Sequence, residues 1–209
     1  MRTTMSKVHL SPQEMQLVSD PEWLFSKQRI INKVYALFAG ISEEYKKVLI
    51  TSEPFPDHMA QRSPKISRGE NYLGLPYVIL DYPATFSRDG VLAIRTMFWW
   101  GNFFSITLHV SGSFQKDIQL PQNAITFLNA NNFFIASGDE WDHHFEKENY
   151  APINIEQAYP VSIKARTHFK IAKKISLSEW DNAEQFLVKS FVEIVDLLRI
   201  SYQGGKKDL

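Results

Sequence analysis

The chain has 209 residues, with 23 Lys and Arg against 23 Asp and Glu, and no Cys. The lack of Cys excludes a disulfide scaffold, a Cys-based zinc finger, an iron–sulfur protein and a cysteine nucleophile. Balanced charge argues against a dedicated nucleic-acid binder, which usually carries a strong basic excess.

The length fits one domain over residues 1–209, with 1–19 and 203–209 as loose arms. Fifteen Phe, eight Tyr and five Trp supply bulky material for a core or an interface. Residues 1–10 carry charge with no apolar run behind it, and no stretch approaches the roughly 20 apolar residues of a membrane span. The expectation is a soluble, cytoplasmic protein.

The first element signal is Asp20-Pro21-Glu22, where Asp caps free N–H groups and Pro suits the first helical position. Apolar residues then recur at Leu24, Ile31, Val34, Phe38, Ile41, Tyr45 and Val48, which keeps one helical face apolar. Gly40 interrupts and Ser42-Glu43-Glu44 offers a second start, so the pattern predicts a helical hairpin or one helix bent at Gly40. Residues 52–76 hold four Pro and two Gly and read as irregular.

Strand patterns follow. Residues 77–82 (YVILDY) are β-rich and are expected to stop at Pro83. Asp89-Gly90 signals a turn. Residues 91–100 and 103–110 flank Gly101-Asn102, a hairpin dipeptide. A two-residue turn pairs Trp100 with Phe103; a three-residue loop pairs Trp99 with Phe103 and exchanges the faces. Beyond Pro121 a helix is expected, then a short strand at 133–136 ended by Gly138. Residues 139–150 (DEWDHHFEKENY) suit a short helix or a strand. Residues 162–171 alternate, with Lys164, Arg166, His168 and Lys170 on one face and Lys173 and Lys174 following. Last, 178–202 carries an apolar stripe through Trp180, Leu187, Phe191, Ile194 and Leu198 behind a capping-box-like Ser178 to Asp181. The fold class is therefore α+β: an N-terminal helical hairpin or bent helix, a mostly antiparallel central sheet with an aromatic-rich hairpin, and a long C-terminal helix packed on the sheet.

No glycine-rich nucleotide loop, zincin helix, EF-hand loop or nucleophile elbow is present. Three weaker patterns remain. Asp142, His143, His144 and Glu146 mix imidazole and carboxylate in metal-ligand fashion, although neighbouring His residues point apart on a strand or a helix. The plain alternative is a polar surface segment. The basic strand face offers donors for a phosphate or carboxylate; its alternatives are a solvated face and pairing with the acidic 139–148 segment, which has five acids and one Lys. The rings of Phe98, Trp99, Trp100, Phe103 and Phe104 cannot all enter one core from a hairpin, so some meet a second layer, a partner chain or a ligand.

In the three-residue register Arg95, Ser105, Thr107 and His109 share a face. Arg166 and His168 on a neighbouring strand, with Asp81 as counter-charge, complete a polar patch. This patch, walled by Trp99 and Trp100, is the expected site for a small anionic or aromatic ligand. Self-association as a homodimer through the aromatic hairpin is the second expectation. A metal-assisted hydrolase using residues 142–146 is the alternative. Cofactors are not indicated by any motif, no membrane partner is expected, and nucleic acid is disfavoured.

Overall fold

The apolar stripe after Pro21 produces one continuous helix. In the computed structural model, which describes residues 8–52, 62–153 and 166–201, α2 (Pro21–Ile50) runs straight through Gly40, capped by the Asp20 carboxylate on the Glu22 amide at 2.9 Å. It follows α1 (Pro12–Ser19), a short exposed helix with a Ser11/Glu14 capping box. That segment was expected to be unstructured. Its cap satisfies the first backbone N–H groups locally, so the helix needs no buried face.

Seven antiparallel strands form one sheet. They are β1 (Lys65–Tyr72), β2 (Leu75–Ser87), β3 (Gly90–Trp99), β4 (Phe103–Ser111), β5 (Phe134–Ala136), β6 (Tyr150–Pro152) and β7 (His168–Ser176). The order is β1-β2-β3-β4-β7-β5-β6. Between β4 and β5 lies α3 (Gln122–Ala130), the helix expected after Pro121. A 3-10 turn (Leu177–Asn182) leads into α4 (Ala183–Ser201).

Two boundaries differ from the sequence pattern. β1 falls inside the stretch expected to be irregular. It is a polar edge strand with no alternating apolar signal, fixed by pairing with β2 and by the Leu73-Gly74 turn, both residues at positive φ. β2 does not stop at Pro83. It passes Pro83 through a register shift between Asp81 and Ala84, which is how a strand accommodates a residue that cannot donate to the ladder. The helix cap also moves: the Ser176 hydroxyl, rather than Ser178, accepts from the Ser178 amide.

Period-two alternation divides the sheet into two faces. Ile94, Phe98, Phe104, Ile106, Leu108 and Ile171 point to α2 and α4 and form the main core with Ile31, Val34, Phe38, Leu187, Phe191 and Ile194. Tyr45 stacks on Phe191 with centroids 3.7 Å apart, and its hydroxyl meets Thr96 Oγ1 at 3.0 Å. Lys173 lies on this face, not the polar one, where its Nζ is 2.7 Å from Glu193 Oε2. The opposite face carries Tyr77, Ile79 and Asp81 of β2, Arg95, Met97 and Trp99 of β3, Phe103 to His109 at alternate positions of β4, and His168, Lys170, Ala172 and Lys174 of β7. Residues 137–149, which join β5 to β6, cross this second face. They form a turn-rich loop, not the helix or strand their composition suggests. No helix among the described residues is long and apolar enough to cross a membrane.

Candidate functional site

The hairpin register decides the site. Trp99 pairs with Phe103 across Trp100-Gly101-Asn102, with Gly101 at φ +70°. Arg95 therefore lies opposite Thr107, and Arg95, Ser105, Thr107 and His109 share the face covered by the 137–149 loop. Lys170 lies opposite His109, and His168 opposite Ser111.

The Arg95 guanidinium grips Asp81 with two bonds, Nε to Oδ1 at 2.7 Å and Nη2 to Oδ2 at 3.0 Å. Its third nitrogen, Nη1, lies 3.1 Å from His143 Nε2. Arginine only donates, so that ring nitrogen is an unprotonated acceptor and His143 is neutral with its proton on Nδ1. Burial, reinforced by the nearby Lys170 and Arg95 charges, holds His143 well below the usual imidazole range. The His143 and His144 amides both donate to the Tyr72 hydroxyl, at 2.6 and 3.1 Å. Edge strand β1 thus fastens one side of the loop.

Glu140 fastens the other side, with Oε1 at 2.9 Å from His109 Nε2. A carboxylate only accepts, so neutral His109 donates through Nε2. Burial depresses His109 to about 4, despite the opposing pull of Glu140. Burial alone would raise Glu140, but bonds from Ser111 and His109 outweigh it and leave that carboxyl below its ordinary value. His168, whose ring centroid is 6.3 Å from that of His109, is lowered by burial and by Lys170.

Between these groups sits the Lys170 ammonium, on a residue 1% exposed. It donates to the loop carbonyls of Glu140 at 2.9 Å and Asp142 at 2.6 Å, and lies 5.5 Å from the centroid of the Tyr150 ring. Among the described residues no carboxylate is within ion-pair distance of it. Burial lowers Lys170 to about 8, against the upward pull of Asp142. At the far end Phe145 of the loop packs edge-on to Phe103 at 5.1 Å and stacks on Tyr150 at 4.6 Å. Tyr72 packs on Trp99 at 5.1 Å, and the buried Trp99 Nε1 has no acceptor among the described residues.

Of the expected patch, Asp81, Arg95, His109, His168 and Trp99 are gathered on one face. Two residues are not. Arg166 precedes β7 and turns its Nη1 to the Ala136 carbonyl at 2.6 Å. Trp100 sits in the hairpin turn, edge-on to Phe98 at 5.5 Å on the helix side. Lys164 lies outside the described residues. The 142–146 set does not converge: His143 faces Arg95, while His144 Nε2 is 3.6 Å from Asp142 Oδ2 and its Nδ1 accepts weakly from the Glu146 amide at 3.4 Å. Among the described residues no three His, Asp or Glu side chains gather around one point as metal ligands. Sequence reasoning missed Tyr72, hidden in a segment without apolar alternation. It placed Lys170 on the basic strand face beside His168 as a donor for a phosphate or carboxylate, but left it out of the patch around Arg95 and His109, which it in fact joins.

Both faces of the aromatic hairpin are covered from within the chain. Phe98 and Phe104 meet Trp180 at 6.0 and 5.3 Å, and Trp99 and Phe103 lie under the loop. No protein family, curated protein or solved structure matches this chain.

Proposed function

We propose that the protein is a binding module for a small anion bearing a carboxylate or phosphate, held on the sheet face under the 137–149 loop. The observation that carries this reading is Lys170: a buried ammonium bonded to two backbone carbonyls, with no carboxylate among the described residues within ion-pair distance. A buried charge without a counter-ion in contact is costly, and a bound anion offsets that cost. Glu140 indicates the chemistry the site accepts, because its carboxylate already docks on His109. A ligand anion takes the place of that side chain and reaches Lys170 and His109 together. The Tyr150 ring, 5.5 Å from the Lys170 ammonium, flanks this position and suits an apolar or aromatic body on the ligand. Arg95 is a positioning residue here, since Asp81 and His143 occupy its donors.

Titration calorimetry with inorganic phosphate and with benzoate, at pH 8.5 in two buffers of different ionisation enthalpy, tests this. An anion beside Lys170 raises its pKa, so binding is expected to take up protons and the apparent enthalpy to differ between buffers. Lys170→Met is expected to weaken binding at least tenfold. Glu140→Gln, which removes the internal competitor, is expected to tighten it. If neither anion binds the wild type, or both variants bind as the wild type does, the reading fails.

A further inference from the structure

Residues 139–144 are the half of the loop that meets Arg95, His109 and Lys170, and no backbone ladder joins this half to the sheet. Among the described residues its backbone-to-backbone hydrogen bonding amounts to the Asp142 amide on the Asp139 carbonyl, at 3.3 Å. The bonds that hold it down use side chains of four strands. Tyr72 of β1 accepts from the His143 and His144 amides, and Arg95 of β3 donates to His143. His109 of β4 donates to Glu140, and Lys170 of β7 to the Glu140 and Asp142 carbonyls. The Trp141 ring lies edge-on to His109 at 5.2 Å and is half exposed. The chain beyond is held more firmly. Phe145 packs on Phe103 and Tyr150, and Asn149 Nδ2 donates to the His144 carbonyl at 2.6 Å. A segment with few backbone bonds beside a firm anchor opens locally while the sheet stays intact.

We infer that residues 139–144 are a lid that acid opens: a proton on His143 breaks its contact with Arg95 and releases this half of the loop. The contact, 3.1 Å from Arg95 Nη1 to His143 Nε2, exists only while Nε2 has no proton. A proton there sets one N–H donor against another. The surroundings of His143 give the new charge no partner. Arg95 of β3 and Lys170 of β7 are positive, and His109 of β4 and the adjacent His144 add positive charge when protonated. Tyr72 of β1 offers a neutral hydroxyl. The nearby carboxylates are engaged: Asp81 of β2 with Arg95, Glu140 with His109, Asp139 with the Trp141 amide, and Asp142 3.6 Å from His144 Nε2. A lifted lid returns His143 to water and to an ordinary imidazole pKa near 6.5. Protons therefore favour the open form below that pH. His109 is not the trigger, because a proton on its other nitrogen leaves the Glu140 bond in place. It adds to the effect once the lid has carried Glu140 away. This device operates whatever the site binds.

Hydrogen exchange of the full chain at pH 7.5 and 5.5, corrected for intrinsic rates and run in amine buffers with chloride as the only anion, tests the inference without a ligand. Protection of the His143 and His144 amides is expected to fall at least tenfold, the ratio that one histidine released to pH 6.5 supplies over that interval. The amides of β3 and β4 are expected to keep theirs. His143→Gln, whose side-chain oxygen accepts from Arg95 and does not titrate, is expected to remove about tenfold of the fall. The wild-type profile needs no variant, so the inference stays falsifiable if His143→Gln does not fold. Unchanged protection of the lid, a fall shared equally by β3 and β4, or a fall undiminished in His143→Gln each overturns it.

Discussion

His109 and Lys170 face each other across β4 and β7, and burial pushes both toward their neutral forms. The consequences for stability follow from linkage. Between about pH 6.5 and 4 the unfolded chain binds a proton at His109 that the folded chain does not, and His143, also lowered, acts in the same direction. Stability is therefore expected to fall as pH drops through that window, read as a lower urea midpoint at pH 5 than at pH 7. Lys170 acts in the same direction higher on the scale. The folded group titrates at about 8, the unfolded one at its ordinary value of 10.5, so the unfolded chain again binds the extra proton between them. Stability is expected to rise from pH 8 toward 10, and Lys170→Met to remove that rise. The Arg95–Asp81 pair makes a different demand. Removing Arg95 leaves the Asp81 carboxylate buried and unpaired, which costs about 3–5 kcal/mol. Arg95→Met is therefore expected to be more destabilising than Arg95→Met combined with Asp81→Asn, by equilibrium denaturation.

Among the elements, the clearest tests are at glycine. Gly40 sits inside α2, and a Cβ there meets nothing within 4 Å. Gly40→Ala is expected to stabilise the protein by about 1 kcal/mol, because Ala loses less backbone freedom in a helix. A melting point raised by about 2–4 °C is the readout. Gly112 is the opposite case. Its φ is +62°, and a Cβ would penetrate the Asp89 carbonyl oxygen, where the Ser113 amide already donates at 2.8 Å. Gly112→Ala is expected to destabilise and to loosen the β2–β3 turn. The long elements were readable in advance because their signals are local. Asp20-Pro21 and the stripe from Ile31 mark α2, and Leu187 to Leu198 mark α4. β1 was not readable. An edge strand such as KISRGENY has no buried face to impress a pattern on it, and its partner alone makes it a strand.

At the scale of the whole molecule, residues from Ile31 in α2 to Leu198 in α4 belong to one continuous core cluster. We propose that the chain is a single cooperative domain, so near- and far-ultraviolet circular dichroism are expected to report one coincident unfolding transition. The 137–149 loop stands apart from that core, tied to the sheet by Tyr72, Glu140, Lys170 and Phe145. Its amides are expected to exchange with solvent faster than those of β3 and β4, and anion binding to change that rate.

Composition and periodicity alone established the class, helix from Asp20-Pro21 onward, the long C-terminal helix, the antiparallel hairpin and the placing of His168 and Lys170 on one polar strand face. These are consequences of burial repeating every two or 3.6 residues, which a linear sequence records. Tertiary structure decided three things. It chose the three-residue hairpin register that put Arg95 and His109 on one face. It laid the acidic loop over the basic strand, so that His143 became a partner of Arg95 and not of His144. It also left Leu24 uncovered while Ile31 was buried. Each of these depends on which segments come together across long sequence separations, and pairing of that kind leaves no periodic mark on either segment by itself.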